Sequence, residues 1–385
     1  VFAPTNDAFD ATLAALGKGS IDDIPVELLR EIVTYHILGT AVFSNQLTDG
    51  AEVATLLPDE TVTVDLTDGV KINDATVIAA DIQAVNGVIH AVDGVLLPSY
   101  VEFSLGTVAE VVLFNNDFTI LAAALRRADL LEAVATTPNI TVFAPDNAAF
   151  VAAGITSLDD VPAETLDAVL KYHVLTSIVK SGDIPTNGVV PTLQGGNIYF
   201  GMLFNQAVRI NGTTDIKLDK VDIEESNGVI HVIDRTLVPP ADHIVDMLDK
   251  LIQSEKGEDL TTLVGLILQY PAVADALSTA EGITVFAPTN DAFTAIADVI
   301  PTLSDDQIID ILQYHVAGAI QFRENLQQGQ DIIMLNDETV TVSAIIDDLI
   351  TLEDQSGGED ATVEEVNIQG SNGVVHVIDK VLLPF

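Results

Sequence analysis

Cysteine is absent from all 385 residues, which excludes disulfides, a thiolate nucleophile and any Cys-ligated metal site. The absence assigns no compartment, since many exported bacterial proteins also do without cysteine. Basic residues are scarce: 15 Lys and Arg stand against 58 Asp and Glu, a formal net charge of −43. Such a balance repels phosphate backbones and anionic lipid, so nucleic acid and membrane surfaces are poor partners. Its simplest meaning is solubility in a salty medium, where screening shortens the reach of self-repulsion. Binding of divalent cations is the sharper alternative, yet no acidic run has calcium-loop spacing. The densest run, LEDQSGGEDATVEE from Leu352 to Glu365, reads as a solvated loop.

Long apolar runs are missing as well. The longest, LTTLVGLILQYPAVADAL from Leu260, is broken by Thr, Gln and Pro271 and reads as core helix, not as a membrane span. Recognisable catalytic motifs are lacking: no G-x-S-x-G elbow, no H-E-x-x-H, no glycine-rich phosphate loop and no dinucleotide fingerprint. Acidic side chains are too abundant for any pair to stand out as an acid–base couple. The sequence therefore predicts no catalytic residue, no cofactor and no metal site.

What the chain does have is repetition. A hydrophobic content of 48% suits folded domains throughout, and three markers recur in a fixed order. The first is VFAPTNDAF at Val1, VFAPDNAAF at Val142 and VFAPTNDAF at Val285. The second is a Tyr-His pair that closes an amphipathic segment: Tyr35-His36, Tyr172-His173 and Tyr314-His315. The third is NGVIHAVDGVLLP at Asn86, NGVIHVIDRTLVP at Asn227 and NGVVHVIDKVLLP at Asn372. A period of roughly 140 residues marks whole domains instead of solenoid units. The expected domains are 1–100, 101–240 and 241–385.

Each marker has a local physical reading. In ITVFAPTNDAF a β-forming run meets Pro288, and Thr289 then stands where a helix N-cap belongs, as does Asp146 in the second copy. Phe9, Phe150 and Phe293 should turn into the core. In PVELLREIVTYHIL the spacing of Val26, Leu29, Val33 and Ile37 predicts one buried helical stripe, with His36 in the last turn, where the helix dipole favours a protonated imidazole. The Tyr-His side chains are either structural, each polar tip bonded locally, or a ligand-facing pair. The third marker predicts a hairpin with a type I′ Asn-Gly turn at Asn86-Gly87, Asn227-Gly228 and Asn372-Gly373. In the following strand Val88, His90 and Val92 alternate with Ile89, Ala91 and Asp93. His90, His231 and His376 then read as core histidines. Helices precede strands in each unit without βαβ alternation, which indicates an α+β fold with a largely antiparallel sheet.

Taken together, ITVFAPTNDAF, the Tyr-His helix end and SNGVIHVIDRTLVP resemble the fasciclin domain, and the resemblance covers essentially the whole chain. It implies a seven-stranded β-wedge with a helical layer, an extracellular or cell-surface location, and a role in adhesion or matrix assembly. In animal members of that family the Tyr-His region is implicated in integrin binding. Carried over, partner-binding positions would be Tyr35, His36, Tyr172, His173, Tyr314 and His315. NIT at Asn139 and NGT at Asn211 are glycosylation sequons.

The leading expectation is a secreted or surface-displayed adhesion protein of a salt-adapted microbe, which binds protein or glycan partners through tandem domains. The rival is a structural subunit of an extracellular filament. The first repeat lacks the segment equivalent to Ser104–Thr141 and Asp242–Thr284, and an uncovered apolar face could join copies into a homo-oligomer. Because VFAPTNDAF falls inside a motif, the natural protein is expected to extend beyond Val1. A calcium- or small-molecule-binding role is the weakest reading.

Overall fold

The structure, a computed structural model, describes residues 1–155, 157–185, 188–203, 207–252, 260–346 and 349–385. Two compact units emerge, Val1–Val179 with Lys220–Arg235, and Lys180–Asp219 with Thr236–Phe385. The division runs through the middle repeat, which gives its α-helices and four of its strands to one unit and its other four strands to the second. Packing and sequence repetition therefore divide the chain at different places.

The first repeat begins with β1 (Phe2–Pro4), α1 (Asn6–Ala15) and α2 (Val26–Tyr35). Thr5 caps α1 by accepting the Ala8 N–H at 3.2 Å, as expected for a strand stopped by proline and followed by a hydroxyl. Five strands follow: β2 (Glu52–Ala54), β3 (Thr61–Asp65), β4 (Lys71–Ile72), β5 (Ala75–Ala84) and β6 (Gly87–Val92). They form a sheet of order β1-β6-β5-β4-β3-β2, antiparallel except for the parallel β1–β6 pair. Val62, Val64, Ile72 and Val92 fill its inner face together with Phe2 and Tyr35.

On α2 the buried residues are Leu28, Ile32 and Tyr35, whereas Val26 and Val33 are exposed. The expected stripe is thus rotated about the helix axis. Leu28 and Ile32 join a larger cluster with Leu113, Leu121 and Leu125 of the second repeat.

The second repeat runs α3 (Ser99–Glu102), α4 (Val108–Leu113), α5 (Thr119–Arg127), α6 (Leu131–Thr136), β7 (Ile140–Pro145), α7 (Asn147–Ala152), α8 (Ala163–Tyr172) and β8 (Val174–Leu175). The strands β9 (Val189–Pro191), β10 (Asn197–Met202), β11 (Val208–Ile210), β12 (Thr214–Asp215), β13 (Ile223–Glu225) and β14 (Gly228–Ile233) complete it. One sheet, β13-β14-β7-β8, belongs to the first unit and another, β12-β11-β10-β9, to the second. In the first unit α4, α5 and α6 form a layer over β14, α7 and α8.

The third repeat comprises α9 (Ile244–Leu251), α10 (Thr261–Gln269), α11 (Pro271–Thr279), β15 (Ile283–Pro288), α12 (Asn290–Ala295) and α13 (Asp305–Gln313). Then come β16 (Val316–Ala317), β17 (Asp331–Ile333), β18 (Thr339–Ile346), β19 (Leu349–Glu353), β20 (Ala361–Gly370) and β21 (Gly373–Ile378). Its seven strands, in the order β16-β15-β21-β20-β19-β18-β17, make the expected α+β domain with a mostly antiparallel sheet. The exception recurs: β15–β21, like β7–β14, is parallel. Each VFAP strand thus lies beside its own NGVIH strand.

Candidate functional site

The three markers meet in one buried cluster per repeat. Phe2, Phe143 and Phe286 face His90, His231 and His376 across the parallel pair, with ring centroids 5.9, 5.6 and 5.6 Å apart. The same phenylalanines donate their backbone N–H to the carbonyls of His36, His173 and His315 at 2.9, 2.9 and 2.8 Å. First, second and third markers are therefore joined through one residue.

Both histidine sets spend their ring nitrogens on backbone. His36 and His315 donate from Nδ1 to the carbonyls of Ile32 and Ile311 at 2.6 and 2.7 Å. Their Nε2 atoms accept the N–H groups of Leu96 and Leu382 at 2.9 Å each. An Nε2 that accepts cannot be protonated, so these rings are the neutral Nδ1–H tautomer. Burial enforces it: desolvation lowers His36 below its ordinary value and takes His173 and His315 down to about 4. The cation expected at the end of α2 is thus corrected, because desolvation outweighs the helix dipole.

The second set is wired in reverse. Nε2 of His90, His231 and His376 donates to the carbonyls of Val42, Val179 and Gln321 at 2.9, 2.8 and 2.6 Å. Their Nδ1 atoms face the N–H groups of Asp81, Asp222 and Asn367 at 3.3–3.4 Å. Those three residues have φ of 59°, 53° and 61°, the left-handed conformation that Asp and Asn tolerate, and Asp81 and Asn367 sit at an irregular step in the ladder. His376 is pushed down to about 4 by desolvation.

The Tyr-His pairs lie inside the fold. Tyr35, His36, Tyr172, His173, Tyr314 and His315 are all buried. Tyr35 and Tyr314 donate their hydroxyls to the carbonyls of Thr61 and Thr339 at 2.8 and 2.7 Å. In the folded chain these side chains hold the helix end against the sheet.

The Asn-Gly hairpins are real, but their turns are not type I′. Register pairs Ala84 with Gly87, Glu225 with Gly228 and Gly370 with Gly373, so Asn ends the two-residue loop and Gly starts the strand. Neither residue has positive φ in any copy. The pair has another use. Asn227 Oδ1 accepts the Val108 N–H at 2.9 Å, and its Nδ2 donates to the carbonyls of Val134, Ala135 and Thr137 at 2.8–3.1 Å. Asn372 does the same with the Ile244 N–H and the carbonyls of Leu277 and Ala280, at 2.7–2.9 Å. One side chain ties off the start and the end of the helical layer, satisfying groups that helix termini leave unpaired. Gly228 and Gly373 are needed for close approach: a Cβ there would lie 2.4 and 2.2 Å from the carbonyl oxygens of Ile140 and Ile283. Sequence reasoning could not see this, because the partners lie ninety or more residues away.

Outside the clusters, the first unit has a groove of about 500 Å3 between α2 and α5, with Leu28, Leu113 and Ala122 on its walls. At its edge Arg126 Nη1 donates to Glu31 at 2.6 Å and stacks on Tyr100, whose hydroxyl also donates to Glu31. In the second unit Arg209 bonds Asp215 at 2.6 Å and the buried Glu324 at 3.0 Å, and Asn367 supports Glu324 at 3.1 Å. In the acidic 352–365 run Asp354 is buried, not solvated. Lys380 reaches it at 3.1 Å, so a cation of the chain itself already holds the best carboxylate there. Among the described residues no cluster of three or more His, Asp or Glu is placed to hold a metal, and no helix is long and apolar enough to cross a membrane. Of the sequons, Asn139 is exposed. Asn211 is buried, its Oδ1 accepting the Tyr199 N–H at 2.9 Å.

Comparison with known proteins follows the same three-fold pattern. The family model described as Fasciclin domain matches residues 1–98, 116–239 and 258–384. The chain is 28% identical to human periostin over 398 residues, covering all of this chain and 43% of periostin. It is 25% identical to pig transforming growth factor-beta-induced protein ig-h3, covering all of this chain and 53% of that protein. The chain thus spans about half the length of these curated relatives. It is 26% identical to a fasciclin-like arabinogalactan protein of Phaeosphaeria nodorum, covering 68% of this chain and 84% of that one. A solved domain pair from the insect cell adhesion molecule fasciclin I aligns at 17% identity and a TM-score of 0.32, over 68% of this chain and 92% of that one.

Proposed function

The chain belongs to the fasciclin domain family, and from that premise we propose that it is a secreted or surface-displayed adhesion or matrix protein. Its tandem domains bind extracellular protein or glycan through their solvent-facing surfaces, each weak site reinforced by its neighbours. One observation carries the reading: the Tyr and His side chains of the markers are buried and bonded within the domains, which leaves the surfaces between the markers for recognition. The net charge of −43 suits a saline medium and a partner with basic patches. Beads coated with the chain and exposed to panels of matrix proteins and glycans test it. Saturable binding that weakens with salt is expected, and binding should survive Tyr314→Phe. No binding to any member, or turnover of a substrate by the purified chain, overturns the proposal.

A second reading, a subunit of a homopolymer, draws on the exposed apolar residues of the first repeat. Light scattering that shows a monomer across a wide concentration range removes it.

A further inference from the structure

The groove between α2 and α5 lies where the repeats differ. Leu28 and Leu113, both buried, form its floor, and the small Ala122 and Ala123 leave room along the α5 wall. Leu28 has no apolar counterpart. Counted back from the Tyr-His pairs, its position holds Thr165 in the second repeat and Gln307 in the third, and both are exposed. The α5 side diverges too. Asn147 and Asn290 accept the N–H groups of Ile120 and Thr262 at 3.0 and 2.9 Å, and in that alignment Arg126 and Arg127 correspond to Leu268 and Gln269. This flank of the helix is not the one that its own domain covers. In the second repeat Leu166 and Leu170 are buried, whereas Glu164 and Thr165, the counterparts of Glu27 and Leu28, stay exposed.

Charges at the rim are unequally spent. Arg126 pairs with Glu31 at 2.6 Å and Arg127 with Asp159 at 2.8 Å. Glu27, one helical turn before Glu31 on the same flank of α2, is exposed and among the described residues has no hydrogen-bond or ion-pair partner. An apolar trough with one free carboxylate, on a chain of net charge −43, complements an apolar surface that carries a cation. The walls are helices of ten and nine residues, about 14 Å long. A third helix would fit that length, since apolar side chains at i, i+3 or i+4 and i+7 span about 10 Å.

We propose that this groove docks one amphipathic helix of an extracellular partner, with apolar anchors on its inner side and a Lys or Arg placed to meet Glu27. The anchors cover Leu28, Leu113 and Ala123. The proposal rests on the adhesion reading and gives one surface of it a partner chemistry.

The test titrates a stapled helix of about fourteen residues, Leu along one side and Lys on the other, into the 385-residue chain at about 0.15 M salt. With leucine methyl groups labelled, saturable one-to-one binding that shifts the Leu28 and Leu113 signals is expected. Ala123→Trp fills the trough from an exposed helix position, and should weaken binding about tenfold or more without lowering the melting temperature. Glu27→Gln should weaken it about threefold, a difference that fades with added salt. A helix of the same composition with its Leu residues scattered around the circumference should bind far less. Absence of binding by the first helix overturns the proposal, as does binding that Ala123→Trp leaves intact. Equal binding of the scattered helix overturns it as well, because charge alone would then suffice. Self-association of the chain that Ala123→Trp disperses also overturns it, since the groove would then join copies. None of these results touches the adhesion reading, which the bead panel decides by itself.

Discussion

Replacing His376 with Gln should make the chain less sensitive to acid. His376 is buried against Phe286, donates from Nε2 to the Gln321 carbonyl at 2.6 Å, and is pushed down to about 4 by desolvation. Its ordinary value is 6.5, so the folded state holds fewer protons than the unfolded state wherever the pH lies between the two. Stability from the neutral ring is complete above about pH 6.5 and is lost as pH falls towards 4. Integrated from about pH 7 to about pH 5.5, one such histidine contributes a loss of about 1 kcal/mol. His315, in the same repeat and also near 4, adds a similar amount. Urea unfolding of the parent chain and His376→Gln at both pH values supplies the comparison, and carboxylate titration common to the two chains cancels in the difference. The variant should be less stable at neutral pH but lose about 1 kcal/mol less on acidification. An identical loss in both chains, or an imidazole titration of His376 above pH 6 by NMR, refutes the reasoning.

Other consequences can be measured independently. Asn372→Ala leaves the Ile244 N–H and two helix-end carbonyls without partners and should cost about 2–4 kcal/mol, whereas Asn86→Ala in the free chain should cost less than about 0.5 kcal/mol by denaturant unfolding. Arg209→Met strands the buried Glu324 and should destabilise the second unit by about 3–5 kcal/mol; Glu324→Gln added to it should recover part of that. Expressed in a host with N-glycosylation, the folded chain should carry glycan at exposed Asn139 and none at buried Asn211, which glycopeptide mass spectrometry reads directly.

Local chemistry made much of the fold legible. The caps at Thr5, Asp146 and Thr289 follow from the residue types alone, as do the buried Phe150 and Phe293 and the hairpins before each NGVIH strand. The α2 stripe was misread because helical periodicity reports which positions share a face, not which of two apolar faces finds a neighbour. Leu28 and Ile32 find the second repeat, and Val33 finds nothing. Asn-Gly was read as turn chemistry because that is its commonest local use. Its function here is tertiary, and no window of sequence contains both Asn372 and the carbonyls of Leu277 and Ala280 that it holds. The protonation of His36 failed for a related reason, since a dipole is a local property and burial is not.

The residues repeated most faithfully are therefore the least available for recognition. A marker that must place a phenylalanine between two histidines, cap a helix and approach a carbonyl within a few ångströms leaves little freedom at any position. Such constraints repeat because each domain must solve the same packing problem. A binding surface answers to its partner, and nothing obliges three domains in series to present the same one. The groove edged by Glu31, Arg126 and Tyr100 illustrates the difference: its residues come from two repeats, lie outside every marker, and set a paired cation on an acidic chain. Recognition in this chain should accordingly be sought where the repeats diverge. Substitutions at the buried marker positions should change stability first, and binding only through it.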